Sequence, residues 1–365
     1  MSGTIEDLTL SKLLLPPISV DKRDVSELPP ASQIHFRHGQ IHGVSLNSTN
    51  GCALTLSEAT LENYGHDDGN AGSLHDAHAA CSPDSVLSQK LHSLTHLPAG
   101  PVVLDVKEIH ETGTRYARIV AWAEQFARDP IPAETTPLRD VAETPSNAET
   151  HGLSFSLFDI RTLVETSTGR RWKQGDKMLA RGESHNISIT VPSSSPLAAF
   201  LPDGIHITNL TQEVSTDTKT FISTLALAAM TPKSFGFEWH ASINNVENPD
   251  VAHPPALTSL ELSYRDDATN IDTLLTRVAA QRNQTLPQLK EMLAIPLAFI
   301  TQRAPGLSAV PEFLNTPSGH SLTISFHPPE PVDAASVKRL APQFSKNPDL
   351  AQRWISPPTL SSSVN

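Results

Sequence analysis

The chain has 365 residues and a formal net charge of −12, from 27 basic and 39 acidic residues. Its densest basic run is the short GRRWK at 169–173. It therefore lacks the electrostatic footprint of a nucleic-acid binder, and anionic surfaces repel it as a whole. Hydrophobic residues make up 38%, aromatics 5%, and 30 residues are proline, which argues against a thick α/β core and for thin layers of strands and ordered loops.

In IHGVSLNSTNGCALTLSEATL, residues 41–61, two alternating runs flank Asn50-Gly51, a strong hairpin turn. Val44, Leu46, Cys52, Leu54 and Leu56 share one face, while Ser45, Thr55 and Ser57 share the other. GHDDGNAGSLHDAHAAC, residues 65–81, is the richest stretch in metal-ligand side chains. Ser73 with Asp76 reads as a capping box, so a short helix is expected from Leu74 to just before Pro83. On that helix Leu74, Ala77 and Cys81 form an apolar face and His75 points away. His66, Asp68, His75 and His78 are the candidate metal ligands. Helical phase turns His75 away from Cys81, and His66, Asp67 and Asp68 in the preceding loop follow no known ligand spacing, so the polar start of a solvated helix is the expected reading.

Residues 100–122 read as a second hairpin with its turn at Glu111 to Thr114. A Pro-, Thr- and Glu-rich run from 129 to 150 carries too little apolar surface to fold alone. It sets the expected division: a β-rich N-terminal segment over 1–125, a linker over 126–150 and a C-terminal α+β segment over 151–365, which a continuous sheet could still join to the first. Beyond the linker, strands are expected with turns at Thr168-Gly169 and Gly175-Asp176, then the strand IHITNL at 205–210. Thr218 to Met230 reads as a helix ended by Pro232. FGFEWHASI at 235–243 and ALTSLELSYRD at 256–266 read as antiparallel neighbours.

The clearest helices lie in the C-terminal third. Thr269 with Asp272 predicts one, with Ile271, Leu274, Leu275, Val278 and Ala279 on a single face. Thr285 caps a second, with Pro287 in its first turn and Pro296 kinking or stopping it. HSLTISFHP, 320–328, is a strand. Asp333 caps a short helix through Leu340, and another is expected near Pro348. The fold class is thus α+β, predominantly β, with elongated curved antiparallel sheet and helices packed on one face, mainly C-terminal.

No GxSxG, Walker A, GxGxxG, HExxH or paired CxxC motif occurs. The carboxylates of YRDD, 264–267, lead into the Thr269 cap. Cys52 and Cys81 are the only cysteines, each on an apolar face, and are either a disulfide or two buried thiols. No stretch has the ~18 apolar residues that span a bilayer. MSGTIEDLTLSKLLLPP has no basic start or long apolar run, so it does not read as a signal peptide.

The segments LELSYRDDATNIDTLLTRVAAQRNQTLPQLKEML, VPEFLNTPSGHSLTISFHPPEPVDAASVKRLA and NPDLAQRWI, with FGFEWHASI before them, carry a resemblance. They resemble uncharacterised α-proteobacterial envelope proteins of the AsmA-like, β-rich type, over residues 215–355. The resemblance implies an exported protein without catalysis, located in the periplasm or at the envelope once a signal or anchor is removed. The leading expectation is therefore a non-enzymatic envelope protein that handles lipid or organises the envelope through an apolar sheet groove. It needs no cofactor, and its partner is a lipid or an envelope protein. The alternatives are a metal-dependent hydrolase using the 66–81 cluster and a secreted module that binds protein or glycan through strand edges.

Overall fold

The structure is a computed structural model and describes residues 2–15, 30–66, 69–95, 100–121, 144–158, 160–193, 195–220, 222–244, 255–344 and 347–365. The chain is predominantly β and antiparallel, and mostly sheet rather than an even α+β mixture. It divides into two compact units, Met1–Thr190 and Val191–Asn365. The division thus falls after the expected linker, most of which lies outside the described residues. Its last residues, from Ser146, already belong to a strand.

The N-terminal unit holds β1 (Ser2–Thr4), β2 (Asp7–Ser11), β3 (Phe36–Asn47), β4 (Cys52–Tyr64), β5 (Asn70–Cys81), β6 (Val102–Thr114), β7 (Ser146–Leu157), β8 (Ile160–Gln174) and β9 (Lys177–Thr190), with helix α1 (Val86–Thr95) between β5 and β6. From β3 onward each strand pairs antiparallel with the next, so pairing follows chain order. β1 and β2 both add to β3. The expected hairpin around Asn50-Gly51 is β3–β4, with Val44 opposite Leu56 and Leu46 opposite Leu54.

Several expectations fail here. The stretch 70–81 is strand β5, not a helix. The turn expected at Glu111 to Thr114 lies inside the single strand β6. There Asn70 pairs with Thr114 but Ala71 pairs with Thr112, so Gly113, at φ +89°, is the extra residue of a bulge. Thr168-Gly169 runs straight through β8, whereas Gly175-Asp176 does turn the chain into β9.

One irregularity crosses the whole sheet. Gly43, Ser57, Asp76, Lys107, Gly152, Glu165 and Asn186 stand in one cross-strand row, and the ladder skips this row in every pair from β3–β4 to β8–β9. On alternate strands the residue is left-handed: Gly43 φ +60°, Asp76 φ +47°, Gly152 φ +59° and Asn186 φ +52°. A left-handed residue breaks the two-residue alternation of a strand. His42 and Ser45, of opposite parity on β3, accordingly line one depression together with Thr55, Ser57 and Asp76. The apolar pattern slips by one residue at the same row: Leu54 and Leu56, then Ala59 and Leu61; Leu104 and Val106, then Ile109. The slip thus keeps one face apolar along the strands.

The C-terminal unit holds β10 (Ile205–Asp217), β11 (Ile222–Thr231), β12 (Phe235–Asn244), β13 (Ala256–Asp266), β14 (Ser321–Phe326) and β15 (Leu360–Val364). These pair antiparallel in chain order. Its helices are α2 (Asn270–Gln281), α3 (Leu286–Arg303), α4 (Ala309–Asn315), α5 (Ala334–Phe344) and α6 (Pro348–Ile355). The helix expected at Thr218 to Met230 is mostly β11, held by β10 on one side and β12 on the other. Its Ala- and Leu-rich local preference is overridden by ladder hydrogen bonds on both edges. Thr285 and Gln288 form a full capping box at α3, and Pro296 sits inside that helix without ending it. Thr269 stands at the N-cap of α2 but its side chain makes no cap bond. Phe313 of α4 meets the Tyr264 ring edge-on at 6.1 Å, and Trp354 of α6 packs against Phe326, closing the helices onto the sheet.

Candidate functional site

The 65–81 stretch does not bring its candidate ligands together. Asp68 lies outside the described residues. His66 sits in the loop before β5, edge-on to His35 at 5.9 Å. His75 and His78 lie on β5 and take different partners: His75 Nδ1 is 3.7 Å from Glu108 Oε1, and His78 Nδ1 is 2.6 Å from Asp105 Oδ1. Among the described residues no group of three or more His, Cys, Asp or Glu side chains is placed to hold a metal ion. Cys52 and Cys81 are cross-strand partners on β4 and β5 and are joined as a disulfide.

What the strands assemble instead is a row of alternating histidine and glutamate on the polar face. His42, Glu58, His75, Glu108 and His151 are successive cross-strand partners from β3 to β7. Flanking side chains complete it: Gln40 Nε2 donates to Glu58 Oε1 at 2.8 Å, and Thr60 and Ser73 share a hydrogen bond. The Nε2 of His110 is 2.6 Å from Glu108 Oε1, and that of His151 is 2.8 Å from Glu149 Oε1. Glu108 is held below the ordinary glutamate range, chiefly by the hydrogen bond to His110; the charges of His110, His75 and His151 reinforce it against partial desolvation. Opposite charges on facing strands stabilise an antiparallel pair by roughly 0.2–1 kcal/mol, so this row supports strand pairing when its histidines are protonated. Glu108, His110 and Asp105 were not singled out in the sequence, because only pairing of β5 with β6 brings them to the histidines.

The opposite face is apolar. Val44, Leu56, Ala77, Val106, Leu153, Val164 and Ile187 form one cross-strand row, and Leu46, Leu54, Ala79, Leu104 and Phe155 lie in the next. In the first row Val44, Val106 and Ile187 are buried. In the second, Leu54, Leu104 and Phe155 remain 37%, 39% and 37% exposed. A run of half-open apolar side chains on adjacent strands is a surface with binding capacity.

The carboxylates of YRDD resolve as structure. Asp266 is fully buried and accepts from the backbone N–H groups of Ala268, Asn270 and Ile271 and from Asn270 Nδ2, at 2.9–3.2 Å. It does for α2 what Thr269 was expected to do. Burial, and then the charge of Asp266, push the neighbouring Tyr264 hydroxyl up to about 12.

A family model described as "Uncharacterized protein" matches residues 203–352, within the C-terminal unit. No curated protein and no solved structure matches the chain. No described helix is long and apolar enough to cross a membrane.

Proposed function

We propose that the protein is a non-enzymatic protein of the bacterial cell envelope that holds the apolar chains of lipid against the apolar face of its N-terminal sheet. The observation that carries this reading is the uncovered row of Leu54, Leu104 and Phe155 beside the buried row of Val44, Val106 and Ile187. Removing apolar surface from water is worth about 0.8 kcal/mol per methylene, so a ten-carbon stretch of acyl chain contributes roughly 8 kcal/mol gross. The association cost of about 4–15 kcal/mol is of the same size, so binding needs most of that stretch to be buried. The Cys52–Cys81 bridge supports an oxidising location such as the periplasm. The elongated, curved form of the sheet belongs to the same proposal. The metal-hydrolase alternative loses its support, since His66, His75 and His78 take three separate partners.

The test is mass spectrometry of lipids extracted from protein purified without detergent. The reading expects near-stoichiometric lipid in the wild type and a several-fold loss in Leu104→Ser. Protein that is repeatedly free of lipid overturns it.

A further inference from the structure

The GRRWK run and its partner strand build a second site, on the polar face of the N-terminal unit. Arg170 and Arg181 are Cα partners on β8 and β9, two cations set directly opposite each other in a chain of net charge −12. Like charges so placed destabilise a strand pair unless something answers them. Glu183 answers Arg181 at 2.7 Å. Arg170 lies over the Trp172 ring at 5.2 Å and donates to no acceptor among the described residues. The same side chains rim a depression of about 610 Å³ that extends across β7 to β6. There the side chains of Thr112, Asn147 and Thr168 also have no hydrogen-bond partner among the described residues.

We infer that this depression binds an acidic saccharide. The chemistry of its wall selects that class. The indole surface of Trp172 that Arg170 leaves uncovered offers an apolar contact for a sugar, and the Arg170 guanidinium over the ring offers paired donors to a carboxylate. Thr112, Asn147 and Thr168 supply neutral donors and acceptors for hydroxyl groups. Glu149 and Glu183 also border the depression and can only accept. They suit a ligand whose hydroxyls donate and oppose a compact anion that carries charge without donors. This face is the reverse of the apolar one, so the inference stands apart from the lipid reading.

Isothermal titration of the full chain with trigalacturonate, maltotriose and inorganic phosphate tests it. Trigalacturonate is expected to bind. Arg170→Ala is expected to weaken binding by roughly tenfold or more, the scale of a lost charge-assisted pair. Asn147→Ala and Thr168→Val should each weaken it several-fold, and they provide the readout if Arg170→Ala disturbs folding. Leu104→Ser should leave it unchanged. Absence of trigalacturonate binding at millimolar concentration, or equal binding by Arg170→Ala and the two neutral variants, overturns the proposal. Phosphate binding as tightly would reduce the site to a bare anion hole, and maltotriose binding as tightly would remove recognition of the acid; either result contradicts it.

Discussion

At the scale of single residues, two carboxylates carry different burdens. Asp266 ends β13 and starts α2 with four hydrogen bonds into one buried side chain. Removing it leaves several N–H donors unanswered, and a cap or a charged hydrogen bond is worth about 1–3 kcal/mol. Asp266→Ala should therefore lower unfolding free energy by about 3 kcal/mol, read as a shift in the urea midpoint. Asp267→Ala, next to it but paired with the exposed Arg265, should shift it little. Glu108 sits in an exposed setting where the interest is pH. Its folded-state pKa lies below the unfolded value, so its contribution is present above that unfolded value and fades as pH falls through the folded one. Carboxyl NMR should place its titration below the ordinary glutamate midpoint. His110→Ala, which removes the largest cause, should move it back up.

At the scale of elements, the slipped row governs the N-terminal sheet and also explains what the sequence concealed. Crossing the row puts Leu74 and Ala77, three residues apart, on one face of β5, and Cys81 on the same face. Three-residue spacing is what an amphipathic helix shows, so a strand with a one-residue slip imitates a helix over 74–81. The division of side chains nevertheless survived: Leu74, Ala77 and Cys81 face the apolar side, His75 and Asp76 the polar one. The β3–β4 hairpin was legible because Val44 to Leu56 lies wholly on one side of the slip. The row makes its own prediction. Gly152→Val puts a β-branched residue at φ +59°, with its Cβ against the Lys107 side chain, and should cost about 2 kcal/mol. Ser57→Val occupies the same row at an exposed position without that backbone, and should change the urea midpoint by no more than about 0.5 kcal/mol. Equal costs would show that the left-handed residues do not set the slip. The Cys52–Cys81 bridge between β4 and β5 adds a second test. Its 29-residue separation predicts a loss of about 3–4 kcal/mol on reduction in the chain-entropy model, measurable by denaturation with and without dithiothreitol.

At the scale of the molecule, the predominance of strand and the capped C-terminal helices followed from alternation and caps, as at Thr285 and Asp333, while the sheet takes a larger share than the expected α+β class implied. The sites did not, because they are made by pairing between distant strands. Arg170 meets Arg181, and His75 meets Glu108, only through register, which a linear reading does not contain. The apolar face is likewise a product of register, since no single strand exposes more than a few of its side chains. It is also the surface on which the functional account depends. Photo-crosslinking tests it most directly, with benzoylphenylalanine placed at Leu104 on the apolar face and, in a separate protein, at the adjacent Asp105 on the polar face. The account predicts lipid adducts from position 104 and none from 105 when cells are irradiated. Adducts at both positions in equal yield, or at neither, would contradict it.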